Sequence, residues 1–183
     1  MKRISQSVPS DSSLFSGKYI ELRRKGTWEY VRRVNITGIV VIVPVTDANE
    51  IVLVEQYRIP VGARVIELPA GLAGDKPGTE TEPLSDAAKR ELLEETGYAC
   101  ETMTQVSVGP ASPGMSDELL TLFKATGLRK VNSGGGDETE DIIVHTVPLD
   151  GFENWLDSQA SAGKLIDVKV HLGPYFAGRG SRR

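Results

Sequence analysis

Cysteine is nearly absent: Cys100 is the only one in 183 residues, which excludes an intrachain disulfide or a cysteine-built zinc site and fits a reducing compartment. There is no surplus of positive charge either, since 25 acids face 21 Lys and Arg for a net charge of −4. That balance argues against non-specific binding to nucleic acid or an anionic membrane, because counterion release needs clustered cations. Long hydrophobic runs are missing too. The longest, Gly38 to Val45, is far below the roughly 18 residues that span a bilayer, and Met1 to Phe15 is Ser-rich and polar rather than signal-like. The expectation is a cytoplasmic protein with no nucleic-acid and no membrane partner. The 39% hydrophobic and 25% charged residues suit one globular domain, with nothing to demand a second.

Turn residues and β-branched runs divide the chain. Residues 1–17 read as a flexible, serine-rich lead, with the first strand beginning near Lys18. Lys18–Arg24 and Trp28–Val34 form a hairpin around Gly26. Ile36–Val45 is almost wholly apolar, as a strand covered on both faces would be, and Glu50–Tyr57 reads as its partner across an Asp-Ala-Asn turn. A short strand at Arg64–Leu68 precedes a loop, Gly71–Thr81, that lacks periodicity. Pro83 opens a helix whose last periodic residues are Leu92 and Leu93, with Gly97 placed for a left-handed cap. Strands ending near Val108, at Leu119–Lys124 and at Ile142–Val147 follow, with loops at Gly109–Asp117 and Ser133–Asp141. A second amphipathic helix spans Gly151–Lys164 and puts Phe152, Trp155 and Leu156 on one side.

The informative stretch is Arg90-Glu91-Leu92-Leu93-Glu94-Glu95-Thr96-Gly97. Glu91 lies three residues before Glu94 and four before Glu95, so three carboxylates share one side of the last turn, where the helix dipole disfavours anions. Like-charge repulsion and the dipole together disfavour such a helix end by roughly 1 kcal/mol unless a cation neutralises it. Oxygen ligands with no His or Cys beside them select Mg²⁺, with Mn²⁺ able to substitute. The plainer alternative for E-x-x-E-E is a solvated acidic face.

Spacing around this stretch decides between them. Glu82, seven residues, Arg90-Glu91-Leu92-x-Glu94-Glu95-x-Gly97-Tyr98 resembles the signature of Nudix hydrolases, metal-dependent pyrophosphohydrolases that cleave a nucleoside diphosphate linked to another group. Gln56-Tyr57-Arg58, Glu67-Leu68-Pro69-Ala70-Gly71, and Ser112 to Glu118 with Pro113 fifteen residues after Tyr98, are similar to segments of the ADP-ribose pyrophosphatase and nucleoside diphosphate sugar hydrolase branch. One departure stands out. The signature's first glycine should lie six residues before Glu82, where this chain has Lys76; Gly71 precedes Glu82 by eleven, so the loop carries about five extra residues. Glu80 competes with Glu82 for the first glutamate, and the spacing to Arg90 favours Glu82.

The resemblance implies an α/β fold, the Nudix α/β/α sandwich with a mixed β-sheet and an added N-terminal antiparallel hairpin. Residues 18–183 form its single domain: 18–34 are dimerisation strands and 35–183 the core and C-terminal helix. It implies Mg²⁺ held by Glu91, Glu94, Glu95 and the carbonyl of Ala70, with Glu91 and Glu95 catalytic and with Glu138 or Glu140 of the Gly-rich loop as general base. Gly134 to Gly136 would let that loop close over substrate. Glu82 and Arg90 pair and brace the loop against the helix, and Gly97 ends it. Arg58 and Arg33 are the expected phosphate contacts. Trp28 stacks on the base beside Glu29, offered across a homodimer with exchanged N-terminal strands. Pro113 and Met115 shape the pocket for the terminal ribose, and Glu118 orients a ligand. His145, His171 and Cys100 read as structural or inert.

The expected reaction is hydrolysis of ADP-ribose to AMP and ribose 5-phosphate, with other nucleoside diphosphate sugars as further substrates. A GDP-mannose or broader nucleoside diphosphate sugar hydrolase is the alternative, because stacking on tryptophan tolerates either purine. A non-catalytic ADP-ribose sensor is the alternative of another class, expected to have lost box carboxylates that this chain keeps. An RNA-decapping role lacks the basic, aromatic-interleaved stripe it would need.

Overall fold

The structure, a computed structural model, describes residues 10–136 and 141–178. Glu138 and Glu140 fall outside the described residues. The chain runs β1 (Asp11–Ser16), β2 (Ile20–Lys25), β3 (Trp28–Arg33), β4 (Gly38–Pro44), β5 (Glu50–Arg58), β6 (Ala63–Glu67), β7 (Ala70–Ala73), α1 (Leu84–Thr96), β8 (Tyr98–Pro110), β9 (Leu119–Lys130), β10 (Ile143–Pro148), α2 (Phe152–Ser161), β11 (Leu165–Ile166) and a short α3 (Leu172–Ala177). These strands form two four-stranded sheets, ordered β7-β4-β9-β8 and β10-β5-β6-β11, and a three-stranded sheet β1-β2-β3. Both larger sheets are mixed: β4 runs parallel to β9 and β11 parallel to β6, while the other pairs are antiparallel. The fold is the mixed α/β arrangement expected from the sequence.

β4 explains why its sequence is apolar throughout. Val40 and Ile42 face α1, packing with Ala87, Ala88 and Leu92, whereas Val41 and Val43 point into a second core built with Leu53, Ile66, Leu122, Phe152 and Leu156. Alternation sends successive side chains to opposite faces, so a strand covered on both sides has no polar position to offer. Pro83 stands at the N-cap of α1 with extended backbone, and Gly97 ends it at φ 72°, donating its N–H to the Leu93 carbonyl at 2.9 Å. A side chain there would strain the backbone and collide with the Asn132 carbonyl, 2.2 Å from an ideal Cβ.

Four expectations about the elements change. Residues 11–16, placed in the flexible lead, form β1 and pair antiparallel with β2, turning the hairpin into a three-stranded sheet. β4 and β5 are not sheet partners: after the turn at Thr46–Asn49 they share only the bridge Val45–Ile51 and then diverge into different sheets. Residues 71–73, expected as loop, join Ala70 to form β7 along the edge of β4. The Ala-Gly-Leu-Ala sequence carries little β signal, and backbone pairing rather than side-chain propensity makes the strand. A third helix, α3, adds Phe176 to the core. Among the described residues, no helix is long and apolar enough to cross a membrane.

Candidate active site

A cleft of about 400 Å³ opens where the C-terminal end of α1, the start of β7 and the ends of β3, β5 and β6 meet. It brings together Ala70, Glu91, Glu94, Glu95, Arg33, Arg58 and Glu118 of the expected site, and adds Glu67, Asp75, Lys76 and Lys169. The acids come from consecutive turns of one helix because positions three and four apart share a face.

Each helix-end carboxylate has a defined partner. Glu95 is almost fully buried, and its Oε2 accepts the Ala70 N–H at 3.1 Å. Glu91 is mostly buried and accepts from Arg90 Nη1 at 2.7 Å; burial pushes its carboxyl above the usual carboxylate range. Glu94 is held at both oxygens by Lys76 Nζ, at 2.8 and 3.0 Å, and this bond raises the lysine above its ordinary range. Arg90 also donates through Nη2 to Glu82 Oε1 and to the Leu72 carbonyl, both at 2.9 Å, and its bond keeps Glu82 below the usual carboxylate range. One guanidinium thus ties the loop's glutamate, strand β7 and the acidic helix face together. Glu80, by contrast, is exposed and accepts backbone N–H groups, that of Gly78 at 3.1 Å, whereas Glu82 is the residue that meets Arg90.

The start of the Gly-rich loop is bonded to the end of α1. Gly135 and Gly136 donate their N–H groups to the carbonyls of Glu95 and Glu94, at 2.9 and 3.1 Å, with φ of 113° and 77°. These amides satisfy carbonyls that the helix end leaves open. The glycines fasten this end of the loop to α1.

The remaining expected contacts divide into two groups. Arg58 forms a fork to Glu67, Nε–Oε1 2.6 Å and Nη2–Oε2 2.8 Å, and Arg33 Nε lies 2.8 Å from Glu118 Oε1, all four residues lining the cleft. Trp28 and Pro113 are elsewhere, lining a separate hollow with Tyr30, Arg32 and Leu119. Trp28 is 59% exposed and donates Nε1–H to the Gly114 carbonyl at 3.3 Å. Glu29 pairs with Arg24 at 2.6 Å on the surface, and Met115, also exposed, gives its carbonyl to the Val31 N–H at 2.8 Å. The chain does not bring Trp28, Glu29, Pro113 or Met115 to its own carboxylate cleft. His145 lies away from it as well, 2.9 Å from the buried Glu55.

Glu67, Asp75, Lys76 and Lys169 were not singled out from the sequence. Glu67 lies within Glu67-Leu68-Pro69-Ala70-Gly71, but nothing in the sequence signals that it meets Arg58, nine residues away; Lys76 occupies the position where a glycine is expected. For Lys169, which the turn after β11 delivers, no sequence signal existed.

The donor chemistry fits a hard divalent cation. The cleft offers carboxylate and backbone oxygens, and no His or Cys is among its described lining residues. Space for it is kept by Gly71, where an ideal Cβ would lie 2.0 Å from Glu91 Cδ. As they stand, no three acidic or histidine side chains among the described residues converge into a ready cage, because Arg90 and Lys76 are already against Glu91 and Glu94.

Residues 36–164 match the model of the NUDIX domain. The chain belongs to the Nudix family. It is 34% identical over 158 residues to the methanol dehydrogenase activator of Bacillus methanolicus, covering 81% of this chain and 82% of that one. It is 32% identical over 177 residues to the ADP-ribose pyrophosphatase of Bacillus subtilis (strain 168), covering 93% and 91%. Its fold is similar to that of a crystal structure described as an ADP compounds hydrolase, with a TM-score of 0.64, 21% identity and 82% of each chain covered.

Proposed function

We propose that this Nudix protein hydrolyses the diphosphate of ADP-ribose to AMP and ribose 5-phosphate in a Mg²⁺-dependent reaction, accepting other nucleoside diphosphate sugars as well. One observation carries the reading: Glu91, Glu94, Glu95 and Ala70 line a single cleft with Arg33, Arg58 and Lys169, so hard-cation ligands and anion-binding groups share one cavity. The similarity to a named ADP-ribose pyrophosphatase over nine-tenths of the chain supports the choice of substrate.

When bound, the divalent ion supplies neutralisation of phosphate charge and a water of lowered pKa. Glu91, Glu94 and Glu95 hold it, with the Ala70 carbonyl as a further ligand. Arg90 orients Glu91 and Glu94 through the bonds described above, as groups behind ligands do. Arg58 and Arg33 receive phosphate oxygens, each pre-set by an acidic neighbour. Glu138 or Glu140 takes the proton of the attacking water. Most of the rate enhancement then comes from positioning and electrostatics.

The base is recognised by Trp28 and Glu29 of a second copy in a homodimer, whose Pro113 and Met115 flank the Gly114 that Trp28 meets and shape the sugar site, while Glu118 of the cleft itself orients a ligand. The N-terminal sheet supports this arrangement, since Phe15, Ile20 and Leu22 leave apolar side chains exposed on it, Phe15 at 68%. Such a dimer working in a reducing cytoplasm has no need of disulfides, in keeping with the lone Cys100.

The test is chromatography of products from ADP-ribose and GDP-mannose in parallel, each with Mg²⁺ and with excess EDTA. AMP appearing only with Mg²⁺, and faster than GMP from GDP-mannose, is the expected result. Faster GDP-mannose cleavage would overturn the substrate choice, and binding without cleavage of either would leave a ligand sensor.

A further inference from the structure

The extra residues between Gly71 and Glu82 are built, not slack. The Lys76 carbonyl accepts both the N–H and the hydroxyl of Thr79, at 3.0 and 2.8 Å, and the Thr79 hydroxyl accepts the Lys76 N–H at 3.2 Å. Gly74 N–H reaches Glu82 Oε1 at 3.3 Å, and Asp75 lies 3.7 Å from Arg90. This closed turn aims the Lys76 side chain across the cleft at Glu94, which it meets at both oxygens, 2.8 and 3.0 Å.

Among the described residues, four cations line the cleft, and each is paired with an acid: Arg33 with Glu118, Arg58 with Glu67, Lys169 with Asp167 and Lys76 with Glu94. Among these pairs, only Lys76 has as its partner one of the three helix-end glutamates. An ammonium and a divalent ion want the same oxygens, and the two positive charges repel when both approach them. A flexible surface lysine would compete weakly because ordering its stem costs rotamer entropy. Lys76 starts from a backbone already fixed by Thr79.

We propose that Lys76 is a tethered counter-ion of the metal site: it neutralises Glu94 in the ion-free protein, must leave when a divalent cation takes that carboxylate, and so sets the affinity for the ion. The inference rests on the reading that Glu94 holds the metal. It also gives the inserted loop a purpose. The acidic helix end is kept neutralised without metal, and arrival of the ion frees one positive charge inside the cleft that is to receive a diphosphate.

The experiment measures Mn²⁺ binding to the substrate-free protein, following free Mn²⁺ by electron paramagnetic resonance, for wild type, Lys76→Met, Lys76→Arg and Lys89→Met. Lys89 is the control, an exposed lysine on the same helix 3.8 Å from Asp86. Thermal melts verify that each variant is folded. Lys76→Met should bind Mn²⁺ about tenfold more tightly than wild type, while Lys76→Arg and Lys89→Met stay within about threefold. Equal or weaker binding by Lys76→Met would overturn the proposal alone. Failure of every protein, wild type included, to bind Mn²⁺ would overturn the metal reading and the proposal with it.

Discussion

Gly71 faces Glu91 so closely that a methyl group on its α-carbon would lie 2.0 Å from Glu91 Cδ and 2.4 Å from Cγ and Oε1. Strand β7 approaches α1 through this gap, and the gap is what lets the Glu91 carboxylate turn toward the cleft beside Ala70. That close approach fits Gly71 as counterpart of the signature's first glycine, although eleven positions, not six, separate it from Glu82.

Gly71→Ala should therefore cost activity more than stability. The added methyl must displace Glu91, whose side-chain atoms are the three nearest to it. Destabilisation of about 1–3 kcal/mol is expected from overpacking, with kcat/KM on ADP-ribose falling at least about 100-fold. Gly109→Ala, where an added Cβ meets no atom within 4 Å, is the matched control and should be nearly silent. Steady-state kinetics beside thermal melts check both.

How far the sequence disclosed this site depends on which residues carried it. Glu82, Arg90 and the three helix-end glutamates were legible because helical spacing is short-range and fixed by one element. The strand pairings were not. β4 and β5 look like a hairpin locally, and only packing of β9 beside β4 and β10 beside β5 separates them into two sheets. Lys76 registered as a missing glycine, but its bond to Glu94 follows from the loop's turn, which spacing does not reveal. Arg58 reads from the sequence as a phosphate contact, but its bond to Glu67 crosses two strands and exists only once β5 and β6 are in register.

Behind the cleft, Glu55 is almost fully buried and accepts from Arg64 Nε at 2.6 Å, Lys164 Nζ at 2.7 Å and His145 Nε2 at 2.9 Å. Burial alone would raise its pKa, but these three hydrogen bonds outweigh it and bring the carboxyl from 4.5 to about 2. A depressed folded-state pKa contributes stability that is complete above the unfolded value and is lost as pH falls through the folded one. This contribution should be full above about pH 5 and fade between about pH 4.5 and 2. Glu55→Gln leaves Lys164 and Arg64 without their buried counter-charge and should lower stability at pH 7 by about 3 kcal/mol, with a flatter acid dependence. Urea melts across pH 3 to 7 measure both, and an unchanged pH dependence would contradict the assignment.

Trp28 lies on the exposed N-terminal sheet, away from the carboxylate cleft of its own chain. If it serves as the base platform of a second copy, Trp28→Ala should raise KM for ADP-ribose about tenfold while kcat changes less than about threefold. Its 59% exposure means that the thermal midpoint should barely move. A lowered midpoint with unchanged KM would make it a packing residue.

The same arrangement makes KM depend on assembly. Phe15→Ser combined with Leu22→Ser removes exposed apolar contact from paired positions of β1 and β2. Sedimentation should show a dimer for wild type and a monomer for the double variant, whose KM should rise as in Trp28→Ala. A wild-type monomer with the same KM would remove the partner's tryptophan from the site.

The most direct test compares AMP release from ADP-ribose by wild type and Glu95→Gln, with Mg²⁺ and at equal protein concentration. Glutamine keeps an oxygen for the Ala70 N–H, now 3.1 Å from Glu95 Oε2, and removes a charge that the helix end disfavours. The variant should melt at or slightly above the wild-type temperature yet release AMP at least about 1,000-fold more slowly. Release within about tenfold of wild type would contradict the assignment of catalysis to the acidic end of α1.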